Sequence, residues 1–313
     1  MKHSPIFIAT HDAQEYVKLI ESELGSELDI TTATSKKVLK ESYQDQPILL
    51  ARPDYAAIVL ESSPPIKWIQ STWAGVTPLI KSPYKNYQLA GVKGVFGEPM
   101  AEFVIGHVLA HELKIGWRKG TQTDRQWDMT SNGQVRGKTM GIMGTGSIGE
   151  AVADTARKLN INVIGFNSSG ESTGNFQSMY STSSLENFLR ACDYIVGILP
   201  DVPATTNLLD ETTLSYLKET ALLINVGRGN LIDEKALCAA LNEEKFAAAV
   251  IDVFKKEPLP ASSPLWTTLN LSVTCHTAAV SLPASIAGLF IQNYQRYLAG
   301  DPLLNLVDFE KGY

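Results

Sequence analysis

Residues 139–149 read TMGIMGTGSIG, and this stretch decides the fold of the second half of the chain. An apolar run is followed by three glycines and then by residues with helical periodicity. The first glycine permits a tight turn, the second lets a pyrophosphate approach the backbone, and the third allows close packing of helix on strand. The start of the helix offers free N–H groups to phosphates. An ordinary glycine turn is the alternative, but the flanking strand and helix favour a dinucleotide site formed by Gly144, Gly146, Ser147, Ile148 and Gly149.

The same alternation of short apolar runs with amphipathic stretches continues in both directions from this motif. It is typical of parallel sheets that are covered by helices on both faces, the doubly wound α/β class. The expected strands are 5–10, 47–51, 68–72, 88–94, 139–144, 162–167, 194–200, 221–227, 247–254 and 271–275, and the expected helices are 99–117, 148–159, 185–191, 233–241 and 283–299. A flexible loop is expected at 168–175.

The chain length of 313 residues indicates two lobes, since a domain usually has ~100–200 residues. We predict one lobe from residues 1–98 plus 283–313 and a second lobe from residues 99–282, which contains the glycine motif. The long apolar segment 99–117 is expected to form one helix, which contributes to a twofold dimer interface. Burial of this helix within one subunit is the alternative.

The composition excludes several classes of protein. The net charge of −6 argues against nucleic-acid and anionic-membrane partners, because neither would be attracted to an acidic surface. Three scattered cysteines without a C-x-x-C pair do not fit a disulfide framework or a structural zinc site. No run approaches the ~18 apolar residues of a membrane span, and the N-terminal apolar run is too short for a signal peptide. We expect a cytoplasmic protein.

The strand that follows the glycine motif indicates which cofactor is bound. In NAD-binding sites an acid about 20 residues past the glycines usually holds the ribose 2′-hydroxyl. Here the strand is followed by Asn167, Ser168 and Ser169. No carboxylate is present to repel a 2′-phosphate, which favours NADP, and no arginine is present to bind one. NAD bound with one hydrogen bond fewer is the alternative.

Three further polar motifs follow expected strands of the second lobe. They are NVGRG at 225–229, DVFKKEP at 252–258 and CHTAA at 275–279. Ligands of open α/β sheets bind beyond the carboxyl ends of the strands. Each residue alone has an ordinary structural explanation, but together they predict one site that contains Arg228, Asp252, Glu257 and His276.

With these motifs in place, the chain resembles the D-isomer-specific 2-hydroxyacid dehydrogenases, especially their glyoxylate/hydroxypyruvate reductase-like branch. The resemblance also includes ARPDYAAIVL at 51–60, KWIQSTWAGV at 67–76 and GVFGEPMAEFVIGHVLA at 94–110. It implies a flavodoxin-like substrate lobe, a Rossmann cofactor lobe and NAD(P)H-dependent reduction of a small 2-keto acid to the D-2-hydroxy acid. Cys275 departs from the family, where proline commonly precedes the histidine.

The resemblance also implies a role for each motif residue. His276 would be the general acid/base, Glu257 its partner, and Arg228 the clamp on the substrate carboxylate and carbonyl. The backbone amides of Ala74 and Gly75 would complete carboxylate binding, and Asp252 would face the nicotinamide carboxamide. The cofactor groove would be lined by Leu199, Pro200, Thr206 and Val226.

These roles agree with elementary chemistry. A histidine with an ordinary pKa near ~6.5 needs a neighbouring carboxylate to remain protonated at neutral pH. The planar fork of an arginine matches a carboxylate through two hydrogen bonds.

The sequence contains residues of three other kinds of candidate site. His107 and His111 lie four residues apart near Glu102 and Glu112, but no H-E-x-x-H motif is present, so we expect no metal. Cys275 and His276 are adjacent on an expected strand and should point to opposite faces, which excludes a nucleophile–base pair. The G-x-S-x-G elbow of hydrolases is absent. A nucleotide-sensing binding protein on the same scaffold, similar to the family's corepressors, remains the alternative to an enzyme.

Overall fold

The chain consists of two compact units, Met1–Val95 with Ser281–Tyr313 and Phe96–Val280. The computed structural model describes residues 4–62, 64–171, 174 and 176–310. The unit boundaries lie three and two residues before the positions expected from the sequence. Ser172, Thr173 and Asn175 of the expected loop lie outside the described residues.

In the first unit, the described residues form a parallel sheet of five strands in the order β2-β1-β3-β4-β5. The strands are β1 (Ile6–Ala9), β2 (Ile30–Ala33), β3 (Ile48–Ala51), β4 (Trp68–Ser71) and β5 (Gln88–Ala90). The helices are α1 (Ala13–Leu24), α2 (Leu39–Ser42), α3 (Pro53–Leu60), α4 (Thr77–Ile80) and α11 (Pro283–Ala299). This strand order is that of flavodoxin-like folds. Strand β2 was not predicted, because this edge strand is half-exposed and carries two threonines.

In the second unit, the described strands form a seven-stranded parallel sheet, in the order β12-β11-β10-β9-β6-β7-β8. They are β6 (Thr139–Met143), β7 (Asn162–Phe166), β8 (Met179–Tyr180), β9 (Tyr194–Gly197), β10 (Leu222–Asn225), β11 (Ala248–Ile251) and β12 (Leu271–Val273). The helices are α5 (Gly97–Glu112), α6 (Ile115–Thr123), α7 (Ser147–Lys158), α8 (Leu185–Ala191), α9 (Glu211–Leu214) and α10 (Glu234–Asn242). The order reverses between β6 and β9, as in a Rossmann fold. Together the two sheets confirm the predicted fold class.

Two apolar clusters cover the opposite faces of this second sheet. Successive side chains of a strand point to opposite faces, and Met143 accordingly lies in one cluster while Ile142 lies in the other. Helix α7 packs with α5 on the second face, where a Cβ on Gly97 would lie 2.8 Å from that of Ala151. Both faces of the sheet are therefore buried, which explains why its strands read as continuous apolar runs.

The expected single helix over 99–117 is wrong, because the chain forms two helices there. Helix α5 ends at Glu112, and Lys114 takes a left-handed conformation with φ 52° before α6 begins. Neither glycine nor proline marks this break in the sequence. Among the residues that the structure describes, no helix is both long and apolar enough to cross a bilayer.

Candidate active site

The turn between β6 and α7 has the backbone geometry that the glycine motif predicts. Gly144 has φ +111°, a conformation that favours glycine. A Cβ on Gly149 would lie 2.0 Å from the carbonyl oxygen of Gly144, so the third glycine allows the helix to pack on the turn. A Cβ on Gly146 would meet nothing within 4 Å, and Ser147 beside it is exposed. The turn therefore leaves open space at the start of α7, as a bound pyrophosphate requires.

Asn167 organises the turn that follows β7. Its amide nitrogen donates to Thr145 Oγ1 at 3.2 Å and to the carbonyl oxygen of Glu171 at 3.1 Å. Its Oδ1 accepts hydrogen bonds from the Gly170 N–H at 2.6 Å and the Ser169 hydroxyl at 3.3 Å. Asn167 thus links the turn to the glycine motif. Ser168 and Ser169 are both exposed, but the Ser169 hydroxyl is engaged within the turn.

The predicted histidine, glutamate and arginine line one cavity of about 320 Å³ in the second unit. They follow β12, β11 and β10, three neighbouring strands whose carboxyl ends meet at the same edge of the sheet. His276 Nδ1 lies 2.8 Å from Glu257 Oε2, and Glu257 Oε1 accepts a hydrogen bond from the Phe254 N–H at 2.9 Å. The remaining residues of the cavity wall are Asp201, Gly229, Asn230, Val253, Phe254 and Lys255.

The electrostatic environment favours the charged form of this pair. The hydrogen bond to Glu257, aided by the charge of this carboxylate, raises the pKa of His276, although burial and Arg228 act in the opposite direction. Burial alone would raise the pKa of Glu257, but the hydrogen bonds from His276 and the Phe254 N–H lower it overall. A protonated imidazole is therefore favoured, and such a group can give a proton to a developing alkoxide.

Arg228 is half-buried at the same cavity. Its Nη1 donates to the carbonyl oxygen of Gly227 at 2.6 Å. Burial lowers the pKa of Arg228, while Glu257 and Asp201 oppose this change. The next residue must be small, since a Cβ on Gly229 would lie 2.0 Å from the Phe254 carbonyl carbon. This close contact places the arginine beside the segment that carries Glu257.

Asp252 holds the loop that carries His276. Its side chain is 1% exposed, and its Oδ1 accepts from the Thr274 hydroxyl and the Thr277 N–H, both at 2.8 Å. Its Oδ2 accepts from the Ala278 N–H at 3.1 Å. This structural role of Asp252 was not predicted from the sequence. The contact between Asp252 and the nicotinamide carboxamide stays a prediction.

The expectation that Cys275 and His276 lie on a strand is wrong. Strand β12 ends at Val273, and His276 has φ +56°. Its backbone N–H donates to the carbonyl oxygens of Asp252 at 2.7 Å and Thr274 at 2.8 Å. This hydrogen-bonded turn, rather than the alternation of a strand, orients the imidazole.

The other predicted positions are more dispersed. Leu199 and Val226 are buried, whereas Pro200 and Thr206 are exposed. The Asn230 amide contacts Thr206 Oγ1 at 3.4 Å, so Thr206 lies next to the cavity wall. Ala74 and Gly75 belong to the first unit, where they follow β4, and their contact with a substrate stays a prediction.

Several residues of the cavity wall were missed. Asp201 follows the Leu199-Pro200 pair at the end of β9, and Lys255 lies between Asp252 and Glu257. Their positions just beyond predicted strands were the available signal. Their shared site became visible once the order of the strands was known.

The two histidines of α5, His107 and His111, are partly buried. Burial lowers the pKa of both His107 and His111, and the ring of His107 lies 4.5 Å from that of Phe103. Within the described residues, no group of three or more His, Cys, Asp and Glu side chains is arranged to hold a metal ion.

Comparison with known proteins agrees with this geometry. The sequence model of the D-isomer specific 2-hydroxyacid dehydrogenase NAD binding domain matches residues 105–278. The chain belongs to the D-isomer specific 2-hydroxyacid dehydrogenases and is an NAD(P)-dependent dehydrogenase. Within the family it lies in the branch of glyoxylate/hydroxypyruvate reductase A, which confirms the resemblance inferred from the motifs.

The similar proteins span most of the chain. The glyoxylate/hydroxypyruvate reductase A of Escherichia fergusonii is 30% identical over 217 residues, which are 69% of this chain and 70% of that protein. A family protein from Aeromonas salmonicida is 35% identical, with a TM-score of 0.91 over 98% of this chain and 100% of that chain. A D-isomer specific 2-hydroxyacid dehydrogenase from Xanthobacter autotrophicus, solved with NADPH and MES, is 26% identical, with a TM-score of 0.89 over the whole of both chains.

Proposed function

We propose that the enzyme reduces a small 2-keto acid of the glyoxylate or hydroxypyruvate type to the D-2-hydroxy acid. The observation that carries this proposal is the His276–Glu257 pair beside Arg228 in one cavity at the carboxyl ends of three strands. Relatives named as glyoxylate/hydroxypyruvate reductases support the substrate class. A cavity of about 320 Å³ is of a size that fits a small acid.

Each residue of the cavity has a defined task in this reaction. The nicotinamide cofactor, when bound, supplies the hydride for carbon 2 of the keto acid. His276 gives its proton to the oxygen that becomes the alcohol, and Glu257 keeps the imidazole protonated and oriented. Arg228 binds the substrate carboxylate and polarises the adjacent carbonyl. The glycine turn of residues 144–149 and the groove residues Leu199, Pro200, Thr206 and Val226 hold the cofactor.

A panel of 2-keto acids tests the proposal. Oxidation of NADPH and NADH is followed with glyoxylate, hydroxypyruvate and pyruvate. His276→Ala should lower kcat by at least ~10²-fold, the usual scale for a lost general acid. Cys275→Ala is the matched control, because this exposed neighbour takes no part in the proposed chemistry. Near wild-type turnover by folded His276→Ala would show that the mechanism is wrong, and cofactor binding without turnover on any acid would favour a nucleotide-sensing protein.

We also propose that NADPH gives the higher kcat/KM and that NADH remains usable. The exposed hydroxyl of Ser168 can bind a 2′-phosphate, and neither Ser168, Ser169 nor Asn167 carries a charge that repels one. The side chain of Asn167 is already engaged in the turn, and no arginine stands beside it in the sequence. The preference for NADPH over NADH should therefore be modest. Asn167→Asp should reverse it by repelling the phosphate and offering an acceptor to the ribose. A clear preference of the wild type for NADH would contradict this proposal.

We also propose a homodimer in which only the C-terminal part of the expected segment 99–117 lies at the interface. Val104, Ile105 and Val108 of α5 are buried within the core of their own unit, so they cannot form an interface as their apolar character suggested. Large apolar side chains are instead exposed around α6, at Leu113, Ile115, Trp117, Trp127 and Met129. Apolar surface of this kind is typical of an interface. Light scattering should give a mass of twice 34.1 kDa for the wild type. Trp127→Glu should weaken the association of the two chains. A wild-type mass of one chain at assay concentration would refute the homodimer.

A cytoplasmic location stays a prediction.

A further inference from the structure

Helix α10 of the second unit begins next to the segment that carries Glu257. Asp233 is the N-cap of this helix, and its Oδ1 accepts hydrogen bonds from the N–H groups of Lys235 and Ala236 at 2.9 and 3.1 Å. An N-cap of this kind satisfies N–H groups that the first helical turn would otherwise leave free. The start of the helix is therefore well fixed, and Glu234 is its first residue.

The side chain of Glu234 reaches from the helix to this segment. Its Oε1 accepts a hydrogen bond from the Lys255 N–H at 3.0 Å. Glu234 is half-buried, whereas Lys255 is exposed. Because the acceptor is a carboxylate, the hydrogen bond is assisted by charge and is stronger than a bond between neutral groups. The start of α10 therefore holds the backbone of Lys255.

The peptide unit that contains this N–H also lies against Gly229. A Cβ on Gly229 would lie 2.0 Å from the Phe254 carbonyl carbon and 2.4 Å from the Lys255 nitrogen, so the peptide packs directly on the glycine backbone. The Lys255 side chain adds a second polar link, since its Nζ donates to Asn207 Oδ1 at 2.6 Å. The steric contact limits how closely the peptide can approach, and the hydrogen bonds keep it from moving away.

This peptide is adjacent to the N–H group that orients Glu257. The Phe254 N–H donates to Glu257 Oε1 at 2.9 Å, and Glu257 Oε2 lies 2.8 Å from His276 Nδ1. Both carboxylate oxygens are engaged, so a displacement of Phe254 would lengthen or misalign one of the two bonds. Hydrogen bonds weaken steeply when they are misaligned. A continuous series of contacts therefore joins the start of α10 to the imidazole.

We propose that Glu234 is a positioning residue for the His276–Glu257 pair. It holds the Phe254–Lys255 peptide in place, and through this peptide it holds the carboxylate of Glu257. Glu234 is not among the described residues that line the cavity, so it acts on the pair through the backbone and not by contact with a substrate. The inference rests on the proposed function, in which this pair supplies the proton.

The pKa of His276 depends on how well the pair is held. The hydrogen bond to Glu257 raises this pKa, as do the charges of Glu257 and Asp252, while burial and the charge of Arg228 lower it. The hydrogen bond is the influence that requires accurate geometry. A looser pair should therefore lower the pKa of His276, so that the imidazole loses its proton at lower pH.

Two substitutions of Glu234 separate its hydrogen bond from its charge. Glu234→Ala removes both the charge and the acceptor of the Lys255 N–H. Glu234→Gln removes the same charge but keeps an acceptor oxygen of the same reach. Glu211→Ala is the matched control, because Glu211 is also the first residue of a helix in this unit and also follows an aspartate N-cap. This control removes the same charge at the same helical position and leaves the acceptor of the Lys255 N–H in place.

The pH profile of kcat for the reduction of glyoxylate is the first measurement. On the alkaline limb, where the imidazole loses its proton, Glu234→Ala should lower kcat about three-fold, the scale of one weakened hydrogen bond. At acid pH, where the imidazole stays protonated in either protein, kcat should remain close to that of the wild type. Glu234→Gln and Glu211→Ala should both keep the wild-type profile. An equal loss of kcat at every pH would indicate general structural damage and would overturn the positioning role.

A direct titration separates this inference from the proposed reaction. The pKa of His276 is measured by NMR with isotope-labelled histidine, and its signal is the one that His276→Ala lacks. Glu234→Ala should lower this pKa, and Glu234→Gln should not. If the pKa falls but no keto acid is reduced, or the profile of kcat does not move, the proposed function fails and the positioning role stands. The inference is overturned if Glu234→Ala leaves the pKa unchanged, or if Glu234→Gln lowers it equally, since the charge alone would then be responsible.

Discussion

Replacement of Asp252 by asparagine tests how the loop with His276 is held. The carboxylate is buried and accepts three hydrogen bonds from residues 274–278. Asparagine has nearly the same shape but offers a single acceptor oxygen. In either orientation of the amide, its NH₂ group faces at least one backbone N–H, from Thr277 or Ala278. One buried donor is therefore left without a partner, and the remaining bonds lose their charge assistance.

The size of the effect follows from these contacts. An unsatisfied buried N–H costs about 1–3 kcal/mol, and a hydrogen bond to a neutral acceptor is weaker by about 1 kcal/mol than one to a charged acceptor. Two bonds are weakened in this way, while the removal of a buried charge offsets part of the loss. We expect the free energy of unfolding of the second unit to fall by about 2–4 kcal/mol. Displacement of His276 by ~1 Å would also lower kcat by roughly 10²-fold.

The assay combines urea unfolding with steady-state reduction of glyoxylate. Asp201→Asn is the matched control, because it makes the same chemical change at an exposed aspartate on the same cavity wall. The control should change the stability by less than about 0.5 kcal/mol. An Asp252→Asn protein with wild-type stability and wild-type kcat would refute the view that this carboxylate holds the catalytic loop.

Three further predictions concern the same unit. Glu257→Gln removes the hydrogen-bonded carboxylate that raises the pKa of His276. The protonated imidazole is then lost at lower pH, so the alkaline limb of the pH profile of kcat for reduction should move to lower pH. An alkaline limb at the wild-type pH would mean that another group titrates. Arg228→Lys keeps the charge but loses the paired hydrogen bonds, so KM for the keto acid should rise and kcat should fall, whereas unchanged constants would exclude a carboxylate clamp. Gly149→Ala places a Cβ 2.0 Å from the Gly144 carbonyl oxygen and should weaken the binding of NADPH, as measured by fluorescence titration. The control is Gly120→Ala, whose Cβ meets nothing within 4 Å, and this variant should bind NADPH as the wild type does.

Local patterns in the sequence were sufficient for the class of the fold and for much of the site. The glycines of residues 144–149 act on their own turn, and the apolar runs are buried on both faces of a sheet, so both signals are contained in a few adjacent residues. Arg228, Glu257 and His276 were predicted together because each follows a recognisable strand. Parallel strands end at a common edge, and this rule requires no knowledge of their order.

Other features depend on contacts between distant parts of the chain, and the tertiary structure decided them. The break at Lys114 has no glycine or proline to mark it, and edge strand β2 is too exposed to give an apolar signal. Asp252 meets residues more than 20 positions further along the chain, and Arg52 meets the ring of Trp73 on the neighbouring strand end. Which side chains share a strand edge depends on the order of the strands, and this order follows from packing of the whole sheet rather than from any local periodicity.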